Sequence, residues 1–97
     1  MYVLALSVEL HVPQAQSLKA RRAAVRPILE GLRHRFGAAA AETDHQDLWQ
    51  RAGLGVAVVA ATPHHAGERM DEIERWIWSR PDVEIVRCDR HWLDTEG

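Results

Sequence analysis

The chain has a single cysteine, one tyrosine and one phenylalanine among its 97 residues. With only Cys88, it can form neither an internal disulfide nor a thiolate zinc site. No apolar run approaches the roughly 18 residues of a membrane-spanning helix. The N-terminal stretch MYVLALSVEL lacks a basic leader region and a small-residue cleavage site, and Glu9 interrupts it. We therefore expect a cytoplasmic protein without membrane attachment.

Motifs for common catalytic and cofactor sites are missing as well. The sequence contains no HExxH, CxxC, phosphate-binding loop or GxSxG pattern, so we expect no cofactor and no metal site. Apolar residues make up 46% of the chain and charged residues 27%, which is typical of a globular protein. Because no linker or change of composition divides it, residues 1–97 are predicted to form a single domain.

Positive charge is concentrated in one segment. The net charge of −2 argues against nucleic-acid binding, but residues 17–36 contain six cations and one anion, a local net of +5. The remaining residues contain six cations and thirteen anions, a net of −7. Such an asymmetry is typical of a surface that binds a charged partner.

Four segments have the pattern of strands. Residues 2–12 alternate strictly, with Tyr2, Leu4 and the following even positions on one face, and Pro13 ends them. The other predicted strands are 38–43, 54–61 and 83–92. If side chains alternate between the two faces along residues 2–12 and 54–61, one face of the sheet carries mainly small apolar residues and no aromatic pair. That face favours contact with a second copy of the chain over base stacking.

Two segments have helical patterns. The first begins after the cap residue Ser17, has an apolar stripe and ends at Gly37, with a kink expected at Pro27. The second begins at Thr62–Pro63. Its predicted buried residues are Met70, Ile73 and Ile77, with Trp76 at the edge of the stripe. The order β-α-β-β-α-β predicts a ferredoxin-like α+β sandwich, in which two helices cover one face of a four-stranded antiparallel sheet.

This topology brings three connections to one end of the sheet: residues 11–22, 44–51 and 78–82. The middle one, within TDHQDLWQRAGLG, is polar apart from Leu48 and Trp49. One interpretation is a stapled turn, with Trp49 buried against the end of the sheet. A second is a binding surface, and a third is a catalytic loop with His45 and Asp47 at its centre.

The first helix places Lys19, Arg22, Arg26 and Arg33 within an arc of about 60°. Pairing with Glu30 on an ordinary solvated face would explain part of this charge. The alternative is a basic ridge that binds an RNA backbone or a ribosomal surface, because guanidinium groups suit phosphate. The candidate binding residues, from this helix and the loop, are Lys19, Arg21, Arg22, Arg26, Arg33, His45, Gln46, Asp47, Trp49, Gln50 and Arg51.

The segments SLKARR and HQDLWQRA resemble the YlxP-like family, a domain of unknown function. The matching positions are Ser17, Leu18, Lys19 and Arg22, then residues 45–51. The resemblance implies a ferredoxin-like architecture and transfers no catalytic residues. Bacterial members are often encoded near translation initiation and ribosome-binding factors, which implies a partner around the ribosome. We therefore favour a non-enzymatic accessory factor that binds RNA or the ribosome. A small enzyme or ligand-binding protein and a homo-oligomeric module are the alternatives.

Overall fold

A computed structural model describes residues 1–93. Its elements are β1 (Tyr2–His11), α1 (Leu18–His34), β2 (Ala39–Asp44), β3 (Arg51–Ala60), α2 (Pro63–Trp78) and β4 (Glu84–Leu93). The order is the predicted one. Strand ends agree with the prediction to within one residue except at β3, which begins three residues earlier than predicted. It does so because Arg51 and Ala52 pair with His11 and Leu10 of β1.

The strands form one sheet in the order β2-β3-β1-β4, and every neighbouring pair is antiparallel. The even-numbered residues of β1 are buried against the helices, and the odd-numbered residues face the other way. This is the predicted ferredoxin-like sandwich. Tyr2 had been expected to be buried, but it is 43% exposed because it lies at the very start of the strand.

The predicted residues cap both helices. Ser17 Oγ accepts a hydrogen bond from the Ala20 amide, and Thr62 Oγ1 accepts one from the His65 amide. Gly37 has φ +63°, a conformation that favours glycine and lets the chain turn back after α1. α1 runs through Pro27 without interruption. Within residues 1–93, neither helix has the length and apolar character needed to cross a membrane.

The core lies between the sheet and the two helices. Each helix contributes the stripe predicted for it, and Trp76 lies at the edge, in edge-to-face contact with Phe36. Cys88 is half-buried on the helix side of β4, where burial, together with the Glu74 carboxylate, raises the pKa of its thiol to about 11. The largest fully buried side chains are those of Leu4, Leu6, Leu10, Leu32, Leu54, Met70, Ile73, Ile77, Val8, Val12, Val25 and Val58.

The sheet face away from the helices is open and divides into two parts. Near the start of β1 it is apolar, with Val3 in register between Val59 on one side and Leu93 on the other. Near the end of β1 it is polar, with Glu9 in register between Gly53 and Arg87. A side chain at Gly53 would collide with Asp44 of β2, so glycine lets the two strands approach closely there.

Candidate functional site

The three connections meet at one end of the sheet, as the topology predicted. His11, the last residue of β1, pairs with Arg51 at the start of β3 and with Glu84 at the start of β4. The Val12 amide then donates to the Gln50 carbonyl over 2.9 Å. The loop of residues 45–50, which we call the hairpin loop, therefore lies directly beside the chain that leads into α1.

The hairpin loop is held by a buried arginine from α1. Arg21 is only 4% exposed, and all three of its guanidinium nitrogens donate hydrogen bonds. Nε donates to the Arg51 carbonyl over 2.8 Å, and Nη2 donates to the His45 carbonyl over 3.0 Å, so one side chain ties both ends of the loop. Nη1 forms an ion pair of 2.9 Å with Glu42 of β2. Arg21 is therefore a structural residue, and it is not available as a surface ligand.

Weaker contacts complete the anchoring of the hairpin loop. The side chain of Gln50 donates from Nε2 to two backbone carbonyls, that of Pro13 over 3.4 Å and that of Ala15 over 3.3 Å. Gln46 donates to the Glu42 carbonyl over 3.4 Å. His45 has φ +60°, an uncommon conformation for a side-chain-bearing residue, and its amide donates to Asp44 Oδ1 over 2.8 Å. The backbone of the loop is thus fixed on both sides.

The expectation that Trp49 would be buried is wrong. Its side chain is 54% exposed, and the neighbouring Leu48 is 48% exposed. The interior that the tryptophan was expected to fill is occupied by Arg21, which satisfies the carbonyls at the ends of the loop, a role that an indole cannot perform. The loop is stapled as expected, but by an arginine from another element. Trp49 remains as an exposed aromatic residue on an anchored loop.

The cations of α1 lie along a groove between this helix and β2. The groove has a volume of about 480 Å³, and Arg22, Arg26 and Arg33 line it together with Gln46 of the hairpin loop. We define the basic ridge as Lys19, Arg22, Arg26 and Arg33.

Three of the four ridge residues keep their charged ends exposed. Lys19 and Arg22 form no ion pair with any carboxylate among residues 1–93. Arg26 lies 3.7 Å from Glu30, and both side chains are well exposed. Arg33 is partly engaged, since Nε and Nη2 donate to the Ala40 carbonyl over 3.0 and 2.7 Å. The ridge is therefore a line of three exposed cations, of which Arg26 is paired with Glu30, followed by a fourth that is held against β2.

A second polar cluster lies on the open sheet face, around Glu9. One oxygen, Oε1, is 2.7 Å from His45 Nε2 and 2.6 Å from Arg51 Nη2. The Arg51 guanidinium and the His45 imidazole hold the pKa of the Glu9 carboxyl below its ordinary value of 4.5. Arg51 Nε is buried without a hydrogen-bond partner in the described chain. A cleft of about 240 Å³ adjoins the cluster, lined by Ser7, Val8, Glu9, Thr43, Asp44, His45, Gly53, Leu54, Arg87 and Asp89.

The predicted site residues therefore separate into two groups. Gln46 and the ridge residues other than Lys19 line the groove, whereas His45 and Arg51 contact Glu9 on the open sheet face. Asp47 and Trp49 are exposed, and the carboxylates near the His45 imidazole belong to Glu9, at 2.7 Å, and Asp44, at 3.7 Å, instead of Asp47. Sequence reasoning missed Glu9, although it is an acidic residue on an otherwise small and apolar strand face. Nowhere in residues 1–93 do three acidic, histidine or cysteine side chains form a group suited to a metal ion.

Comparisons with known proteins agree with the fold and with the predicted resemblance. The uncharacterized protein YlxP of Bacillus subtilis (strain 168) is 29% identical over 79 residues, which are 81% of this chain and 86% of that protein. A de novo designed protein with a ferredoxin fold, solved by solution NMR, covers 100% of this chain and 89% of its own. The two structures superpose with a TM-score of 0.53 and share 17% sequence identity, so this similarity concerns the fold alone.

A family model also matches most of the chain. It is described as a protein of unknown function, DUF503, and it aligns with residues 3–90. That range includes β1 except its first residue, both helices, the basic ridge and the whole hairpin loop. On this match over nearly the full length, the chain belongs to the DUF503 family.

Proposed function

We propose that this protein is a cytoplasmic accessory factor that binds RNA, free or on the ribosome, through the basic ridge. The observation that carries the proposal is the row of exposed cations on one helix, where Lys19 and Arg22 have no carboxylate partner in the described part of the chain and Arg26 has only an exposed one at 3.7 Å. A surface that leaves arginine unpaired keeps its hydrogen-bond donors free for phosphate.

If this surface binds phosphates, the affinity for RNA should depend on salt concentration in a predictable way. Each neutralised phosphate releases counterions, so the logarithm of the affinity falls by about 0.7 per contact for each logarithm of salt concentration with single strands. Arg33 is held to the Ala40 carbonyl, which leaves three exposed cations to contact phosphates. The plot of log affinity against log salt concentration then has a slope of roughly −2. Affinity is then highest at low salt, where electrostatic attraction is least screened.

Charge reversal tests the proposal. Association with RNA and with purified ribosomal subunits is measured for the native protein, Arg22→Glu and the double variant Arg22→Glu/Arg26→Glu. The single variant is expected to weaken binding and the double variant to abolish it, with little change in melting, because both side chains are exposed. Arg75→Glu, on an exposed position of α2, is the matched control and is expected to bind normally. Absence of RNA or ribosome association by the native protein at low salt would reject the proposal.

A second candidate function is acid–base catalysis, favoured by the 2.7 Å contact between His45 and Glu9 beside a polar cleft. A carboxylate that fixes an imidazole prepares it to accept a proton from a substrate or a water molecule. The measurement is hydrolysis of simple esters and phosphodiesters. This function predicts that His45→Ala removes hydrolysis and that Arg22→Glu/Arg26→Glu leaves it intact, the opposite of the pattern for RNA binding.

We also propose that the protein self-associates across the open sheet face. The supporting observation is the apolar row in which Val3 lies between Val59 and Leu93, both about half exposed. Apolar residues in register on three strands are the kind of surface that a second copy covers. Sedimentation at tens of micromolar tests this, and finding only the monomer at that concentration would reject an obligate assembly.

A further inference from the structure

We infer that the RNA ligand is single-stranded and that one of its unpaired bases stacks on Trp49. This inference rests on the proposed function and adds the form of the ligand and a second contact. It follows from three features described above: an exposed indole, an anchored loop, and a single line of cations that leads to it.

The Trp49 side chain is presented on a rigid support. Arg21 fixes the carbonyls of His45 and Arg51 on either side of the loop, and the Leu48 amide donates to the His45 carbonyl over 3.2 Å. A loop held at both ends loses little conformational freedom when a ligand binds, so more of the stacking free energy appears as affinity. Stacking of a base on an aromatic side chain is sequence-tolerant, because every base has a flat face.

The hairpin loop places Trp49 close to the groove of the basic ridge. Gln46 lines the groove together with Arg22 and Arg26, and it precedes Trp49 by three residues. The two Cα atoms are therefore at most about 11 Å apart, even if the chain between them were fully extended. From Lys19 to Arg33 the ridge follows α1 for about 21 Å, at 1.5 Å per residue. A strand whose phosphates follow the ridge thus reaches the loop with its bases free to turn toward the indole.

The charges on the two walls of the groove favour a single strand over a duplex. The cations all belong to the α1 wall, and the β2 wall carries Glu42, whose carboxylate is already paired with Arg21. β2 has no cation, so a second row of phosphates would find no partner on that wall. A duplex also keeps its bases stacked on one another, so none is available to an aromatic side chain until a base pair opens.

The experiment measures binding of a fluorescently labelled 12-nucleotide RNA, free and annealed to its complement, at several salt concentrations. Five proteins are compared: the native chain, Trp49→Ala, Trp49→Phe, Trp78→Ala and the double variant Arg22→Glu/Arg26→Glu. Trp78 is a matched control because it is also exposed and lies at the same end of the molecule. Far-ultraviolet circular dichroism confirms that each variant is folded.

The native protein is expected to bind the single strand more tightly than the duplex. Trp49→Ala is expected to weaken single-strand binding about fivefold to a hundredfold, the range for loss of one stacked base, with an unchanged salt slope. Trp49→Phe retains most of the affinity because the flat ring remains, and Trp78→Ala binds as the native protein does.

Three outcomes would overturn the inference. Equal affinity for strand and duplex rejects the single-stranded ligand. Normal RNA binding by Trp49→Ala, with binding lost in Arg22→Glu/Arg26→Glu, rejects the stacking contact, retains the proposed function and leaves Trp49 as a site for a protein partner. No binding of either RNA by the native protein at low salt rejects the inference and the proposed function together.

Discussion

The two halves of the sandwich use charge in different ways. In the half formed by α2 and β4, opposite charges meet one another: Arg90 of β4 lies 2.7 Å from Asp71 and 2.9 Å from Glu74, both on α2. In the half formed by α1 and β2, the buried Arg21 pairs with the partly buried Glu42, and the other arginines of α1 line the groove.

The composition of the helices produces this difference. α1 has five cations and one carboxylate, whereas α2 has two cations and four carboxylates. Both helices pack on the same sheet with similar apolar stripes, so packing does not require the asymmetry. α2 pairs two of its carboxylates with Arg90 of β4, whereas Lys19 and Arg22 of α1 have no carboxylate partner among residues 1–93. A charged surface is therefore informative about function when its cations have no partner within the fold.

Two adjacent arginines are expected to differ most in how much they contribute to stability. Arg21→Met leaves the partly buried Glu42 carboxylate without its partner and removes two hydrogen bonds to loop carbonyls, so we expect the free energy of unfolding to fall by about 3 kcal/mol. Arg22→Met changes an exposed position and is expected to stay within about 0.5 kcal/mol of the native protein. Urea denaturation measures both. Similar losses in the two variants would contradict a structural role specific to Arg21.

A smaller effect is expected in the other half of the molecule. Arg90→Ala removes two partly exposed ion pairs between β4 and α2, which together contribute about 1 kcal/mol. The difference should shrink when the denaturation is repeated in high salt, because salt screens exposed charges.

Arg87→Ala is the control for Arg90→Ala. It breaks a well-exposed pair with Asp89 in the same strand and should change stability by less than about 0.5 kcal/mol. A loss for Arg90→Ala as large as that for Arg21→Met would show that the two halves do not differ in how they use charge.

The smallest effect is a pH dependence at Glu9. The folded-state pKa of this carboxyl lies below its ordinary value of 4.5, so the ionised form stabilises the folded protein. That contribution is fully present above about pH 5 and is lost as the pH falls through the lowered pKa. The difference in stability between the native protein and Glu9→Gln should therefore be constant near neutral pH and diminish in acid. A difference that stays the same down to about pH 3 would mean that Arg51 and His45 do not lower this pKa.

The patterns that predicted the fold were strong because each depends on only a few neighbouring residues. The alternation in β1, the caps at Ser17 and Thr62 and the left-handed Gly37 all match the structure. The start of β3 was predicted too late, because residues 51–53 lack the apolar pattern and are set by their pairing with β1.

The site was harder to predict because its contacts join distant parts of the chain. Trp49 was expected in the interior because it stands beside Leu48 in an otherwise polar stretch, whereas Arg21 reaches the same loop from 24 residues away in sequence. A signal for Arg21 was present: it precedes Val25, Ile28 and Leu32 at helical spacing, so it continues the buried stripe. The contact of Glu9 with His45 has no such signal, because it depends on the register of β1 against β3 and on the conformation at His45.

The contacts along the outer edge of β2 bear on how the protein avoids aggregation. An alanine-rich edge strand recruits further strands through its unpaired backbone groups, and runaway growth of this kind leads to fibres. Here the Ala40 carbonyl accepts two hydrogen bonds from Arg33, and the Glu42 carbonyl accepts one from Gln46. An incoming strand must first displace both side chains. Arg33 therefore hinders the pairing of another strand with β2. A second copy of the chain meets less resistance at the open face than at this edge.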